Sequence, residues 1–269
     1  MTSSHEISPK GRYSRQTMLP EIGPAGQERL RGARVLIVGL GGLGAPVATY
    51  LAGAGVGHIA LCDPDTVSLS NLQRQTLYAE ADLGKPKAEC TLRRLRELNS
   101  EIDFTAVPEG FTSENAARLV ADCDMVVDCT DNFTTRFLID DTCAEAGRPW
   151  VFGAIGEFCG QVGVMNQPPR ARRLTDLFPD REELMGRPQP TMGVLGAVPG
   201  TIGAIQACEA IKVITGCGEA LGGGRLLVES RWRGASSSLT CFRFAPKLLI
   251  SKIPSKPQYY NNFPNVNHF

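Results

Sequence analysis

The chain has 269 residues, of which 42% are hydrophobic, and it carries 28 basic and 28 acidic side chains. That balance leaves no overall field to attract nucleic acid or an anionic membrane, and the length suffices for one large core or two modest ones. No apolar run approaches the roughly 20 residues that cross a bilayer, and the polar start Met1-Thr2-Ser3-Ser4-His5-Glu6 lacks the apolar core of a secretory signal, so a cytoplasmic protein is expected.

Residues 12–32 read as one or two short polar helices, beginning at Arg12-Tyr13-Ser14-Arg15-Gln16. The apolar run Arg34–Val38 is a strand, followed by Gly39-Leu40-Gly41-Gly42-Leu43-Gly44 and a small-residue helix over about 43–52, which Gly53, Gly55 and Gly57 should break. A second strand, His58–Cys62, ends at Asp63, nineteen residues past the last glycine of the turn. Residues 64–84 form a long connection without period, of the kind that often carries function. Then come a helix over 85–98 opened by Pro86, a strand Asp103–Val107, a helix over 113–122 capped by Thr112 or Ser113, and an apolar strand Met125–Asp128. A helix over 134–146 and strands Trp150–Gly153 and Gln161–Met165 complete this half. Residues 166–192, with five prolines and Arg170, Arg172 and Arg173, read as an exposed crossover loop. A helix over 200–215, strands over 225–229 and 239–244, and a loosely held tail from Pro254 follow. Strands alternating with helices predict an α/β fold with a doubly wound, mostly parallel sheet. It divides into N-terminal helices (1–32), a Rossmann-like nucleotide-binding half (33–165), the crossover (166–192), a mixed-sheet C-terminal half (193–253) and the tail (254–269), all within one domain over 1–269.

The glycine turn places unpaired N–H groups at a helix start, where phosphate charge is favoured, and Asp63 is spaced to read a ribose. A glycine fingerprint alone means a nucleotide and most often a redox dinucleotide. The polar run Asp63-Pro64-Asp65-Thr66-Val67-Ser68-Leu69-Ser70-Asn71-Leu72-Gln73-Arg74-Gln75 argues otherwise, because hydride transfer has no use for it beside the ribose. Nucleotidyl transfer needs cations on a triphosphate and carboxylates for magnesium and ribose. Arg74 and Lys87 supply the first, and Asp63, Asp65 and Asp131 the second, Asp131-Asn132 lying just past the carboxyl end of a parallel strand.

At these residues the sequence resembles the ThiF, MoeB and HesA family of ubiquitin-activating-enzyme-like adenylyltransferases. The resemblance runs through Arg12–Gln16, Gly39–Gly44, Ser70–Gln75, Gly84–Lys87, Asp128–Asn132 and Gly193–Lys212, about residues 12 to 215. It implies ATP-dependent adenylation of the C-terminal glycine of a small ubiquitin-like sulfur-carrier protein, with release of pyrophosphate. It also implies that Gly39, Gly41, Gly42 and Gly44 approach the phosphates and that Asp63 and Asp65 serve ribose or metal. Ser70, Asn71, Arg74 and Lys87 would serve the triphosphate, Asp131 would hold Mg2+, and Asn132 would stand beside it. Family members are usually homodimers in which an N-terminal arginine, here Arg15, reaches the neighbour's nucleotide. Adenylation of a peptide, another small carboxylate or a modified tRNA base remains an alternative, as does a catalytically silent scaffold.

Two departures from the family pattern carry expectations. No Cys-x-x-Cys pair occurs among the nine cysteines, and there are only three histidines, so no structural zinc is expected, and the crossover is either held by packing alone or mobile until a partner docks. Where some relatives use a cysteine nucleophile, this chain has Gln189, which cannot form a covalent link to a carrier. Cysteines in apolar segments, such as Cys62, Cys129 and Cys208, read as buried free thiols.

Overall fold

The computed structural model describes residues 11–186 and 193–222, and the backbone of two further strands, 225–230 and 238–243. Helices α1 (Ser14–Thr17) and α2 (Gly23–Gly32) lead into strand β1 (Arg34–Val38), helix α3 (Gly44–Ala54) and strand β2 (His58–Cys62). Helix α4 (Lys87–Leu98), strand β3 (Asp103–Val107), helix α5 (Ala116–Ala121) and strand β4 (Met125–Asp128) follow. Helix α6 (Phe133–Glu145) precedes strands β5 (Trp150–Ile155) and β6 (Cys159–Met165). Then come helices α7 (Leu174–Leu177), α8 (Arg181–Gly186) and α9 (Ala197–Thr215) and strands β7 (Arg225–Ser230) and β8 (Ser238–Arg243).

All eight strands form one sheet in the order β3-β2-β1-β4-β5-β6-β7-β8. The first five are parallel, and β6, β7 and β8 add on antiparallel. The α/β, mostly parallel reading therefore holds. Side chains alternate between two cores, as a strand buried on both faces requires. Val35 and Ile37 of β1 pack on one face with α3, α4 and α9, while Leu36 and Val38 pack on the other with α5, α6, α7 and α8.

Chain order reverses between β1 and β4, which are neighbours in the sheet but far apart in sequence. At such a switch point the connections leave in opposite directions and open a crevice at the strands' carboxyl ends. The glycine turn follows β1, Asp63 follows β2, and Asp131 follows β4, so all three reach that crevice.

Several expectations are corrected. Helix α3 runs through Gly53 and stops only at Gly55, whose φ of 84° puts it in the left-handed region that ends helices. Helix α5 starts at Ala116, not near 113, because the Asn115 Oδ1 accepts the Thr112 N–H (2.9 Å) and its Nδ2 donates to the Gly110 carbonyl (2.8 Å), holding residues 110–115 as a turn. Helix α9 begins three residues early, with Pro199 in its first turn. At 19 residues it is long and apolar enough to span a membrane by length and composition, contrary to the expectation that no segment was. In the fold its buried face, including Val198, Ile202, Gln206 and Ala210, packs against the α3 side of the sheet.

The crossover is not a bare loop. Leu174, Leu177, Phe178 and Leu184 are buried, making α7 and α8 part of the core. Packing is joined by charge: Arg173 Nε donates to Asp140 (2.8 Å), Arg173 Nη2 to Asp141 (2.7 Å), and Arg181 pairs with Asp141 (2.5 Å). The reading of Arg173 as a solvated loop residue is thus overturned. So is the reading of Cys208 as buried, since it is exposed on α9; Cys62, Cys90, Cys123, Cys129 and Cys143 are buried. Gln189 and the tail from Pro254 lie outside the described residues.

Candidate active site

The crevice is a cleft of about 1000 Å3. Its walls include Gly39, Gly41, Gly42, Asp63, Asp65, Arg74, Gln75, Lys87, Asp131 and Asn132, so residues spread over nearly a hundred positions meet in one space.

The glycine turn has specific steric causes. Gly39 has φ 90°, and a Cβ there would lie 2.6 Å from the Cys129 carbonyl oxygen. A Cβ at Gly44 would collide with the Gly39 carbonyl, so only glycine lets α3 start this close to β1. Gly44 is therefore buried beneath the turn, while Gly41 and Gly42 face the cleft.

Asp63 is 6% exposed and accepts the Leu40 N–H on Oδ2 (2.7 Å) and the Asp65 N–H on Oδ1 (2.9 Å). Burial pushes its carboxyl above the usual range, while the nearby Lys87 charge and those two N–H groups pull the other way. The carboxylate thus pins the glycine turn to the end of β2 and still faces the cleft.

The long connection over 64–84 is held by a short antiparallel stitch. Lys87 N–H donates to Asp65 O (2.9 Å), Val67 N–H to Lys85 O (2.9 Å) and Gly84 N–H to Val67 O (2.9 Å). It delivers Lys87, 5% exposed, with Nζ 2.8 Å from Asp65 Oδ2. An ammonium has three donors, so Lys87 can hold Asp65 and still present protons to the cleft.

Arg74 lies against Gly42: a Cβ there would sit 3.5 Å from the Arg74 Cγ. Its Nη1 donates to the Ser70 carbonyl (3.0 Å). Ser70 and Asn71 do not line the cleft. Within their own turn, Asn71 Oδ1 accepts the Ser68 N–H (3.3 Å), Ser70 Oγ meets Ser68 Oγ (3.2 Å), and the one-turn helix Leu69–Asn71 leads into Arg74. Arg15 is exposed on α1 and does not line the cleft.

Asp131 is exposed at the cleft wall beyond β4. The cap of α6 is Asn132, whose Oδ1 accepts the Thr135 N–H (2.8 Å), so Asp131 is not needed for that task.

Sequence reasoning missed three residues here. Arg136, 5% exposed, binds Asp128 Oδ2 through Nε (2.8 Å) and the carbonyls of Thr130 (2.7 Å) and Gly153 (3.1 Å) through Nη2. Its guanidinium lies 5.3 Å and 5.0 Å from the ring centres of Phe133 and Phe152, a desolvated cation between aromatic faces. It thereby fixes the loop that carries Asp131. A lone arginine among apolar helix positions, eight residues past a strand-end aspartate, was the available signal. Gln75 and Gln161 also line the cleft, each with a buried Oε1 that has no hydrogen-bond partner.

The lining holds four carboxylates (Asp63, Asp65, Glu109 and Asp131) against three cations (Arg74, Lys87 and Arg136), and Arg136 is already matched by Asp128 behind it. Such a cleft suits a polyanion that brings its own divalent cation, rather than a bare anion. Among the described residues, no group of three or more histidine, cysteine or acidic side chains is poised to hold a metal.

Comparison with known proteins agrees with this geometry. A profile described as the ThiF family matches residues 13–247. The chain is 43% identical over 227 residues to a sulfur carrier protein adenylyltransferase of Thermus thermophilus, covering 81% of this chain and 83% of the relative. It is also 43% identical over 224 residues to the sulfur carrier protein ThiS adenylyltransferase of Escherichia coli, covering 82% and 89%. The crystal structure of Escherichia coli MccB with succinimide shares the fold, with a TM-score of 0.75 at 24% identity over 88% of this chain and 71% of that one. On the extent of that profile and those identities, this chain belongs to the ThiF family.

Proposed function

We propose that the protein adenylates the C-terminal glycine of a small ubiquitin-like sulfur-carrier protein, at the expense of ATP. The observation that carries this reading is the convergence of the glycine turn, Asp63, Arg74, Lys87 and Asp131 on one cleft. The names of the relatives from Thermus thermophilus and Escherichia coli support the substrate class.

In this reading the N–H groups of the Gly39–Gly42 turn and the guanidinium of Arg74 take the phosphates, Lys87 faces the reacting phosphate, and Asp63 accepts the ribose hydroxyls. Gly44, Ser70 and Asn71 act indirectly, by setting the turn and aiming Arg74. A carrier carboxylate oxygen bonds the α-phosphorus, the bond to the α–β bridging oxygen breaks, and pyrophosphate leaves with that electron pair. Both reactants are anionic, so approach is repulsive until Arg74 and Lys87 offset the charge; positioning and electrostatics then supply the rate. Asp131 would hold Mg2+, which would draw charge from the phosphates, and Asn132 orients that loop through its cap. No cysteine nucleophile is required for this step.

We further propose a homodimer in which Arg15 of one copy enters the other's cleft; its exposure on α1, away from its own cleft, supports that placement. The test is direct. Incubated with Mg-ATP and a purified carrier ending in Gly-Gly, the enzyme should yield carrier bearing one AMP at its C-terminus, seen by intact-mass spectrometry and lost on adding hydroxylamine. No adduct with any such carrier would refute the reading.

A further inference from the structure

The nucleotide residues occupy only one end of the cleft. Its other end runs beneath β5 and β6 toward the crossover helices and is walled by Phe133, Ala154, Phe178, Leu184 and Met185. Gln161 of β6 stands in this gallery, opposite Ala154 in the antiparallel pair, and Arg136, the cation nearest these walls, is already taken up by Asp128 and two backbone carbonyls. Gln161 is 5% exposed, and its Oε1 is buried with no partner. A buried carboxamide oxygen left unpaired costs free energy that packing does not return, which is why nearly all such groups are bonded.

Its position relative to the reaction centre is fixed. Arg136 Nη2 bridges the carbonyl of Thr130, beside Asp131, and the carbonyl of Gly153, beside Ala154. Gln161 therefore sits one strand over from the residue adjoining that bridge. An extended acyl chain whose carboxylate lies at Asp131 would run back through the gallery past Gln161. Its peptide groups would leave water among aromatic and aliphatic walls, and each would need a bond there.

We propose that Gln161 is a specificity-determining residue for the acyl substrate. Its Oε1 accepts the N–H of the peptide link joining the last two residues of an extended, side-chain-free tail, which passes between largely apolar walls. The inference rests on the proposed function and assigns the substrate end of the same cleft. Gln75, whose Oε1 is also unpaired, sets its Nε2 beside Gly41 at the nucleotide end and plays no part in it.

Carrier-dependent ATP–pyrophosphate exchange tests the proposal, using the full chain with a carrier ending in Gly-Gly and the same carrier made with an ester in place of its last amide. On the wild type, the ester carrier should raise KM for carrier about tenfold, the loss of one buried hydrogen bond. Q161L should raise KM for the amide carrier by a similar factor while kcat and the Kd for ATP stay within about twofold. It should then treat the ester and amide carriers alike. Equal KM values for the two carriers on the wild type would overturn the proposal, as would losses that multiply when the variant meets the ester. Should Q161L fail to fold, the wild-type comparison decides alone. Absence of exchange by the wild type with any Gly-Gly carrier would instead overturn the functional reading, and this inference with it.

Discussion

Replacing Arg136 with methionine should be the most damaging single change near the site that leaves the volume roughly intact. The side chains of Arg136 and Asp128 are 6% and 0% exposed, and they meet at 2.8 Å. Removing one partner of a buried pair costs about 3–5 kcal/mol, because the other charge is left stranded. Here the lower end applies, since Asp128 Oδ1 keeps the Thr130 N–H (2.9 Å) and hydroxyl (2.6 Å) and only Oδ2 loses its donor. About 3 kcal/mol at roughly 2–4 °C per kcal/mol lowers the melting temperature by about 6–12 °C. Urea unfolding should show the same loss with an unchanged slope. Adding Asp128→Asn to Arg136→Met removes the stranded charge and should recover part of the stability. The freed Thr130 carbonyl also loosens the Asp131 loop, so exchange should fall at temperatures where the variant remains folded. A loss below about 1 kcal/mol, or a double variant no more stable than the single, would refute the reasoning.

Arg74→Ala should slow exchange by about 10²–10³, the effect of losing one preorganised donor. Ser70→Ala should change the rate only a few-fold, because Arg74 is held by the Ser70 backbone carbonyl; equal defects would mean that Ser70 acts through its hydroxyl. Burial raises the Asp63 carboxyl, so its ionised form is lost at a higher pH than that of an ordinary aspartate. The folded state binds that proton more tightly than the unfolded state, so Asp63 lowers stability above its folded pKa, and acidification relieves the penalty. ATP affinity should move the opposite way, weakening as pH falls through the same window, and Asp63→Asn should abolish that acid limb; an acid limb unchanged in the variant would assign it elsewhere. Burial pushes the Cys62 and Cys123 thiols up to about 12 and Cys159 up to about 11. Iodoacetamide at pH 8 should therefore modify Cys208, which is exposed, well before these three; peptide-resolved mass spectrometry showing Cys62 or Cys123 labelled first would contradict the packing.

Strands β1, β2 and β4 were legible to the residue because inner parallel strands read as short apolar runs bounded by turn residues, and the edge strand β3 because exposed Asp103 and Thr105 alternate with buried Phe104. The nucleotide end of the cleft was legible for a related reason: its residues fall in contiguous motifs whose spacing reflects one strand–turn–helix unit. Ser70 and Asn71 belong to such a motif and yet stand behind the wall, since a motif records what a turn needs as well as what a ligand touches. Helices α7 and α8 were hidden because four- and six-residue helices are set by their contacts rather than by propensity. The prolines and arginines there look like loop composition until Asp140 and Asp141 of α6 are placed opposite Arg173 and Arg181. Gln161 left no signal, because one glutamine in a strand acquires meaning only when the residues around it are known to be apolar.

Carrier-dependent ATP–pyrophosphate exchange in Asp131→Ala, set beside the wild type, tests the charge-neutralising cleft most directly. The account predicts strong exchange by the wild type only when the carrier is present, and none above background in a variant whose circular dichroism and melting temperature match the wild type. Exchange in Asp131→Ala at the wild-type rate would contradict it.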